Sequence, residues 1–108
     1  MNSTQKQLVD QLKKEGTIKS QLVYDTLLAI DRKFYVPSSP YYNDSPSSIG
    51  YGATISAPHM HSMTLEKLLP ALKEGGRALD IGAGSGYVSA CFADILGPKG
   101  TVVMIDHI

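Results

Sequence analysis

At 108 residues the chain has the length of one ordinary domain, and 43% hydrophobic with 19% charged residues excludes an intrinsically disordered polymer. Ten Lys and Arg balance ten Asp and Glu, so the formal net charge is zero and the basic excess of a nucleic-acid binder is missing. No apolar run approaches the ~18 residues of a membrane span. The polar start MNSTQKQLVDQLKKEG lacks a signal-peptide core, and the lone Cys91 cannot form an internal disulfide. These features lead us to expect a cytoplasmic, monomeric protein with no nucleic-acid or membrane partner.

In chain order, Ser3 or Thr4 can cap a first helix running to about Glu15, with Leu8, Val9 and Leu12 on one side and Gly16 as its stop. Ser20 caps a second, QLVYDTLLAI, in which Val23, Leu27 and Ile30 recur at near-helical spacing. Together they make an N-terminal helical pair over residues 1–33. Its basic residues Lys6, Lys13, Lys14, Lys19, Arg32 and Lys33 read as solvated helix faces. Residues 34–52, FYVPSSPYYNDSPSSIGYG, carry three prolines, two glycines, five serines and four tyrosines, too many breakers for a long regular element. A loop of that length inside a compact domain is usually functional or disordered; the aromatics and the neighbouring glycine motif favour functional, and residues 34–62 are expected to form an active-site loop and the start of a helix. The tyrosines at 41, 42 and 51 either shape a groove or pack on the surface.

HMHSMTLEKLLPALKEGG then reads as a helix with Met60, Met63, Leu68, Leu69 and Leu72 as its apolar face. Pro58 sits in its first turn and Pro70 ends it near Leu69. RALDIG is a short buried-strand pattern, SGYVSACFADIL a helix closed by Gly97 and Pro98, and TVVMID a second strand. Strand, helix and strand in about thirty residues make a βαβ unit with parallel strands. Residues 63–108 are thus the first half of a cofactor-binding domain.

Between the first of these strands and its helix lies DIGAGSGY. Gly82, Gly84 and Gly86 permit a turn that a β-carbon forbids and let a cofactor approach the backbone. The following helix offers unpaired amides and the positive end of its dipole. Asp80 can order this loop or contact a ligand. Asp106, at the end of the second strand, stands where an acid accepts hydrogen bonds from ribose hydroxyls. A dinucleotide fingerprint needs glycine at the sixth loop position, which here is Tyr87, so a nicotinamide-dependent oxidoreductase is disfavoured.

Glycines at loop positions one, three and five, with an acid two residues earlier, resemble the motif of class I S-adenosylmethionine-dependent methyltransferases. Three segments taken together, NDSPSSIGYGATISAPHMHS, ALDIGAGSGYVSACFA and VVMIDHI, resemble the protein-L-isoaspartate (D-aspartate) O-methyltransferases over nearly the whole chain. The resemblance implies an α/β, Rossmann-like methyltransferase fold, present only as its N-terminal part. It implies S-adenosyl-L-methionine as cofactor, S-adenosyl-L-homocysteine as product, and damaged proteins bearing L-isoaspartyl or D-aspartyl residues as partners. By the same resemblance Ser56 is the catalytic residue. Ala53, Thr54, Ile55, Ser56, His61, Asp80, Gly82, Gly84, Ser85, Gly86, Asp106 and His107 are the cofactor contacts.

Each of these residues has a plainer reading. Ser56 also stands where a helix N-cap belongs, and Ser85 can merely cap the next helix. His59 and His61 suit a partly exposed helix start, and without further His or Cys they make a poor metal site, so no metal is expected. Cys91 lies among apolar neighbours and reads as core. Ser62 stands where a small apolar residue is expected. Because the sequence stops at Ile108, soon after the ribose acid, a chain of this length is expected to be weakly active or inactive alone. A non-catalytic binding or regulatory chain is the competing reading.

Overall fold

A computed structural model of the chain describes residues 2–107. Helix α1 spans Gln5–Lys14 and α2 spans Gln21–Ala29. A two-stranded antiparallel hairpin follows, β1 (Ser47–Gly50) and β2 (Ala53–Ile55), and then α3 (Pro58–Leu68). Strand β3 (Arg77–Ile81), helix α4 (Tyr87–Leu96) and strand β4 (Thr101–Ile105) complete the order. Strands β3 and β4 pair in parallel from Arg77↔Thr101 to Ile81↔Ile105.

Local chemistry sets the helix ends. Thr4 accepts from the Gln7 amide at 3.1 Å, while the Gln7 side chain reaches back to the Ser3 amide at 2.7 Å. Ser20 accepts from the Val23 amide at 3.2 Å. The carboxylate of Glu66 in α3 accepts from the Lys19 and Ser20 amides and the Ser20 hydroxyl, which ties the start of α2 to α3. Leu69–Ala71, containing Pro70, tightens into a 3-10 turn that closes α3.

One core runs through all these elements. Leu8, Val9 and Leu12 of α1 meet Val23 and Leu27 of α2, Leu65 of α3, and Tyr87, Cys91, Phe92 and Ile95 of α4. Each fully buried aliphatic side chain contributes roughly 1.5–3 kcal/mol. Cys91 is wholly buried, and burial pushes its thiol up to about 12, so it is an inert packing residue. Thr26 donates to Asp94 at 2.9 Å and joins α2 to α4.

The serine-rich segment holds no long element, only the four residues of β1, after which Gly50, Tyr51 and Gly52 all take positive φ (86°, 57° and 70°) and reverse the chain within three residues. Three expectations need correction. The buried face of α3 is Pro58, His61, Ser62 and Leu65, whereas Met60, Met63 and Leu68 are half-exposed. Leu65 anchors that face, and His61 lies one turn before it on the same side. The strands β3 and β4 are covered on one face only. Ala78 and Val102 pack on the core, but Leu79, Ile81, Val103 and Ile105 alternate to the other side, where Ile81 is 75% exposed. No element among the described residues lies on that side, whereas a fully buried parallel sheet needs a layer on each face. Finally, Arg32 is not solvated but 1% exposed. It follows Asp31, whose side chain caps a 3-10 turn over Arg32–Phe34 that turns the arginine inward.

Candidate active site

The hairpin and the glycine loop touch because Gly84 has no side chain. A β-carbon there would sit 3.1 Å from Ile49 Cδ1 and 3.8 Å from the Thr54 carbonyl, at a φ of +59° that L residues rarely adopt. The loop itself is fastened by its backbone. The Gly82 and Ala83 amides both donate to the Ile105 carbonyl, at 2.7 and 3.3 Å, and Gly84 donates to Asp106 Oδ2 at 2.8 Å.

Between the two segments lies an open cavity of about 200 Å³ lined by Thr54, Ile55, Ser56, Met60, His61, Thr64, Asp80, Gly82, Ala83, Tyr87 and Val88. Six sequence-derived candidates meet there: Thr54, Ile55, Ser56, His61, Asp80 and Gly82. Ala53, Gly84 and Gly86 are not in its lining. The Ser85 hydroxyl lies on the other side of the loop, near Tyr35, where it is buried with no hydrogen-bond partner. Asp106 and His107 are off the cavity lining. His107 is exposed, its amide and Nδ1 both against Asp106 Oδ1 at 2.6 and 2.8 Å. Ile108, the last residue of the IDHI segment, lies outside the described residues.

The two acids divide their work differently from the simplest reading. Asp106 orders the loop through Gly84, and Asp80 faces the cavity while accepting from the Ser89 hydroxyl in α4 at 2.7 Å. A carboxylate has about four acceptor sites, so Asp80 keeps capacity for a ligand. Neither candidate serine caps a helix. The N-cap of α3 is Ala57 and that of α4 is Gly86, and neither helix has a side-chain cap. At α3 the missing cap is replaced from a distance, since Asp44 Oδ1 accepts from the His59 amide at 2.8 Å and from its ring at 2.9 Å. Ser56 is therefore left exposed at the cavity's edge and is not engaged on helix amides.

His61 is the most altered group. It is 7% exposed, its ring stacks on Tyr87 at 4.9 Å between centroids, and Nδ1 is buried with no partner. Burial, with a smaller push from Arg32, lowers its pKa to about 4, so it is neutral at physiological pH. Tyr87 does not obstruct the sheet as its size suggests. It turns toward the helices, donates to the Ile30 carbonyl at 2.7 Å, meets Tyr35 edge-on at 5.2 Å and forms the cavity floor. Its hydroxyl also accepts from Gln5 at 3.2 Å, and burial raises its pKa well above the usual phenol range.

Sequence reasoning missed Arg32, Asp44, Gln5 and Tyr87 as parts of this site. The one local signal was Asp31, whose capping position fixes where Arg32 points. Among the described residues no cluster of three or more His, Cys, Asp or Glu side chains could hold a metal ion, and no helix is long and apolar enough to cross a membrane.

A parallel βαβ unit with its glycine turn, flanked by a hydroxyl-bearing hairpin, is the N-terminal part of a Rossmann-like class I S-adenosylmethionine-dependent methyltransferase fold. The structural comparison agrees. A Plasmodium falciparum protein described as a protein-L-isoaspartate O-methyltransferase, in complex with S-adenosyl-L-homocysteine, superposes with a TM-score of 0.92 at 38% identity, covering 99% of this chain and 50% of that one. Residues 2–108 match the family described as Protein-L-isoaspartate(D-aspartate) O-methyltransferase (PCMT). The protein-L-isoaspartate O-methyltransferase of Caenorhabditis elegans is 46% identical over 105 residues, and that of Triticum aestivum 50% over 102. The chain belongs to this family. It covers 46% and 44% of those two relatives, so it spans about half of their length.

Proposed function

We propose that the protein carrying this sequence binds S-adenosyl-L-methionine in the cavity between the hairpin and the glycine loop and methylates the carboxylate of L-isoaspartyl and D-aspartyl residues in damaged proteins. The observation that carries the reading is the convergence of Ser56, His61, Asp80 and Gly82 on one cavity, in a chain of this family. The residues present fit the cofactor. Asp80 supplies a negative charge, the first turn of α4 is uncapped, and the buried Nδ1 of His61 lacks a partner. We further propose that the ligand extends from the cavity past the glycine loop to Asp106, and that the protein acts as a cytoplasmic monomer, a setting that suits its single buried cysteine.

When bound, the cofactor supplies an electrophilic methyl on a sulfonium cation. The substrate carboxylate is ionised at neutral pH and needs no base, which accords with a site whose one buried histidine is neutral. In this reading Ser56 would donate its hydroxyl hydrogen to one carboxylate oxygen and leave the other oxygen to act as nucleophile. The stacked His61 and Tyr87 would shield one side of the site from water, which would strengthen the attraction between a carboxylate and a cationic donor.

The test is transfer of labelled methyl from S-adenosyl-L-methionine to an isoaspartyl peptide and to its ordinary aspartyl counterpart. Transfer to the isoaspartyl peptide alone, reduced about a hundredfold by Ser56→Ala, is expected. Equal transfer to both peptides, or a fully active Ser56→Ala variant, contradicts the reading.

A further inference from the structure

The side chain with most to explain is Arg32. Its guanidinium is buried, with no carboxylate within ion-pair distance among the described residues. Nη1 donates to the Ser56 carbonyl and Nη2 to the Ser45 carbonyl, both at 3.1 Å. The Arg32 amide donates to Gln5 Oε1 at 3.1 Å, and Gln5 Nε2 donates in turn to the Leu27 carbonyl at 2.8 Å. The arginine is thus seated on the helical pair and reaches out to the site.

Arg32 bonds only neutral carbonyls, with the Asp44 carboxylate near enough to favour its charge but not paired with it, and burying a cation this way is expensive: an apolar side chain of similar volume commonly does as well or better for stability. The benefit has to lie in what the planar fork alone can do, which is to hold two acceptors in a fixed relation. Those acceptors are well chosen. Ser45 lies just before β1 and Ser56 just after β2, so the fork fastens both roots of the hairpin. We infer that Arg32 is a positioning residue for methyl transfer: by clamping both roots of the hairpin it fixes the backbone of Ser56, and hence its hydroxyl, against the glycine loop. At 1% exposure it touches neither substrate nor cofactor and acts through Ser56. This rests on the methyl-transfer reading given above.

The experiment uses the intact protein carrying this sequence, with variants Arg32→Lys, Arg32→Gln and Arg32→Ala. Turnover is normalised to the number of sites that bind S-adenosyl-L-homocysteine in calorimetry, which removes misfolded molecules from the count. Arg32→Lys and Arg32→Gln are expected to lose about tenfold to a hundredfold in kcat per site, with KM for S-adenosyl-L-methionine within about threefold of wild type. Arg32→Ala is expected to regain turnover when methylguanidinium is added, because the missing fork can be supplied from solution. Wild-type kcat per site in the variants, with only the melting temperature lowered, would overturn the assignment. So would failure of all three to bind S-adenosyl-L-homocysteine, since Arg32 would then serve the fold alone. A wild-type protein that binds the homocysteine product but never methylates the isoaspartyl peptide sinks the methyl-transfer reading and the positioning role with it.

Discussion

The two walls of the cavity are built by opposite means. The glycine-loop wall is held by backbone: Gly82 and Ala83 bond to the end of β4, Gly84 to the side chain that follows it, and the loop contributes almost no side-chain bulk. The hairpin wall is held by buried polar side chains drawn from elsewhere in the chain, with Arg32 at its roots, Asp44 at the start of α3 and His61 stacked on Tyr87. A backbone-built wall is insensitive to what surrounds it and sensitive to any added β-carbon. A wall built from buried polar groups responds to protonation and to the loss of any one partner.

The largest effect expected from this contrast is at their point of contact. Gly84→Val places a branched side chain at φ +59° and against Ile49, which combines left-handed strain with overpacking for about 4 kcal/mol. Calorimetry should show S-adenosyl-L-homocysteine binding lost, while substitutions at exposed Met63, which is off the cavity lining, leave it nearly unchanged.

Next comes the pH response of the hairpin wall. The folded state binds the His61 proton less well than the unfolded chain, since its pKa falls from 6.5 to about 4. Its contribution is therefore complete above pH about 6.5 and is lost as pH falls toward 4, by on the order of 3 kcal/mol. Urea unfolding across that window should show this loss in wild type and much less of it in His61→Asn. Equal slopes would mean that His61 is not buried neutral.

A smaller effect belongs to the loop wall. Asp106→Asn replaces a charge-assisted acceptor of the Gly84 amide by a neutral one and should cost about 1–2 kcal/mol in unfolding free energy, with cofactor affinity reduced as the loop loosens. The smallest is at Ser62, fully buried with its hydroxyl donating to the His59 carbonyl at 3.0 Å. Ser62→Ala removes one such bond from a carbonyl of the first helical turn and should shift stability by less than about 1 kcal/mol in either direction. A larger loss would show that the hydroxyl helps seat His61.

The same contrast decides what could be read in advance. The glycine loop, the capped helices α1 and α2 and the parallel strands were legible because their causes are local: a glycine spacing, a capping serine, an apolar run. Ser56, His61 and Asp80, which meet at one cavity, were legible as candidate site residues chiefly because three segments together resemble one family. The hairpin was hidden because its strands are only four and three residues long and half of the first is serine, although Gly50-Tyr51-Gly52 marks its turn. Arg32 was hidden because its acceptors are backbone carbonyls 13 and 24 residues further on, and a carbonyl carries no sequence label. The face of α3 was misjudged because methionines signal burial by type alone, while the histidine and serine that are buried find their partners only in the folded chain. The open side of the sheet could not be anticipated from β3 and β4, whose apolar runs read as buried on both faces.

The most direct measurement follows backbone amide resonances of the protein during titration with S-adenosyl-L-homocysteine. If both walls enclose one ligand, the amides of Thr54 to His61 and those of Gly82 to Val88 shift together with a single dissociation constant, while those of α1 stay in place. Shifts confined to the glycine loop, with Ser56 and His61 unmoved at saturation, would contradict it.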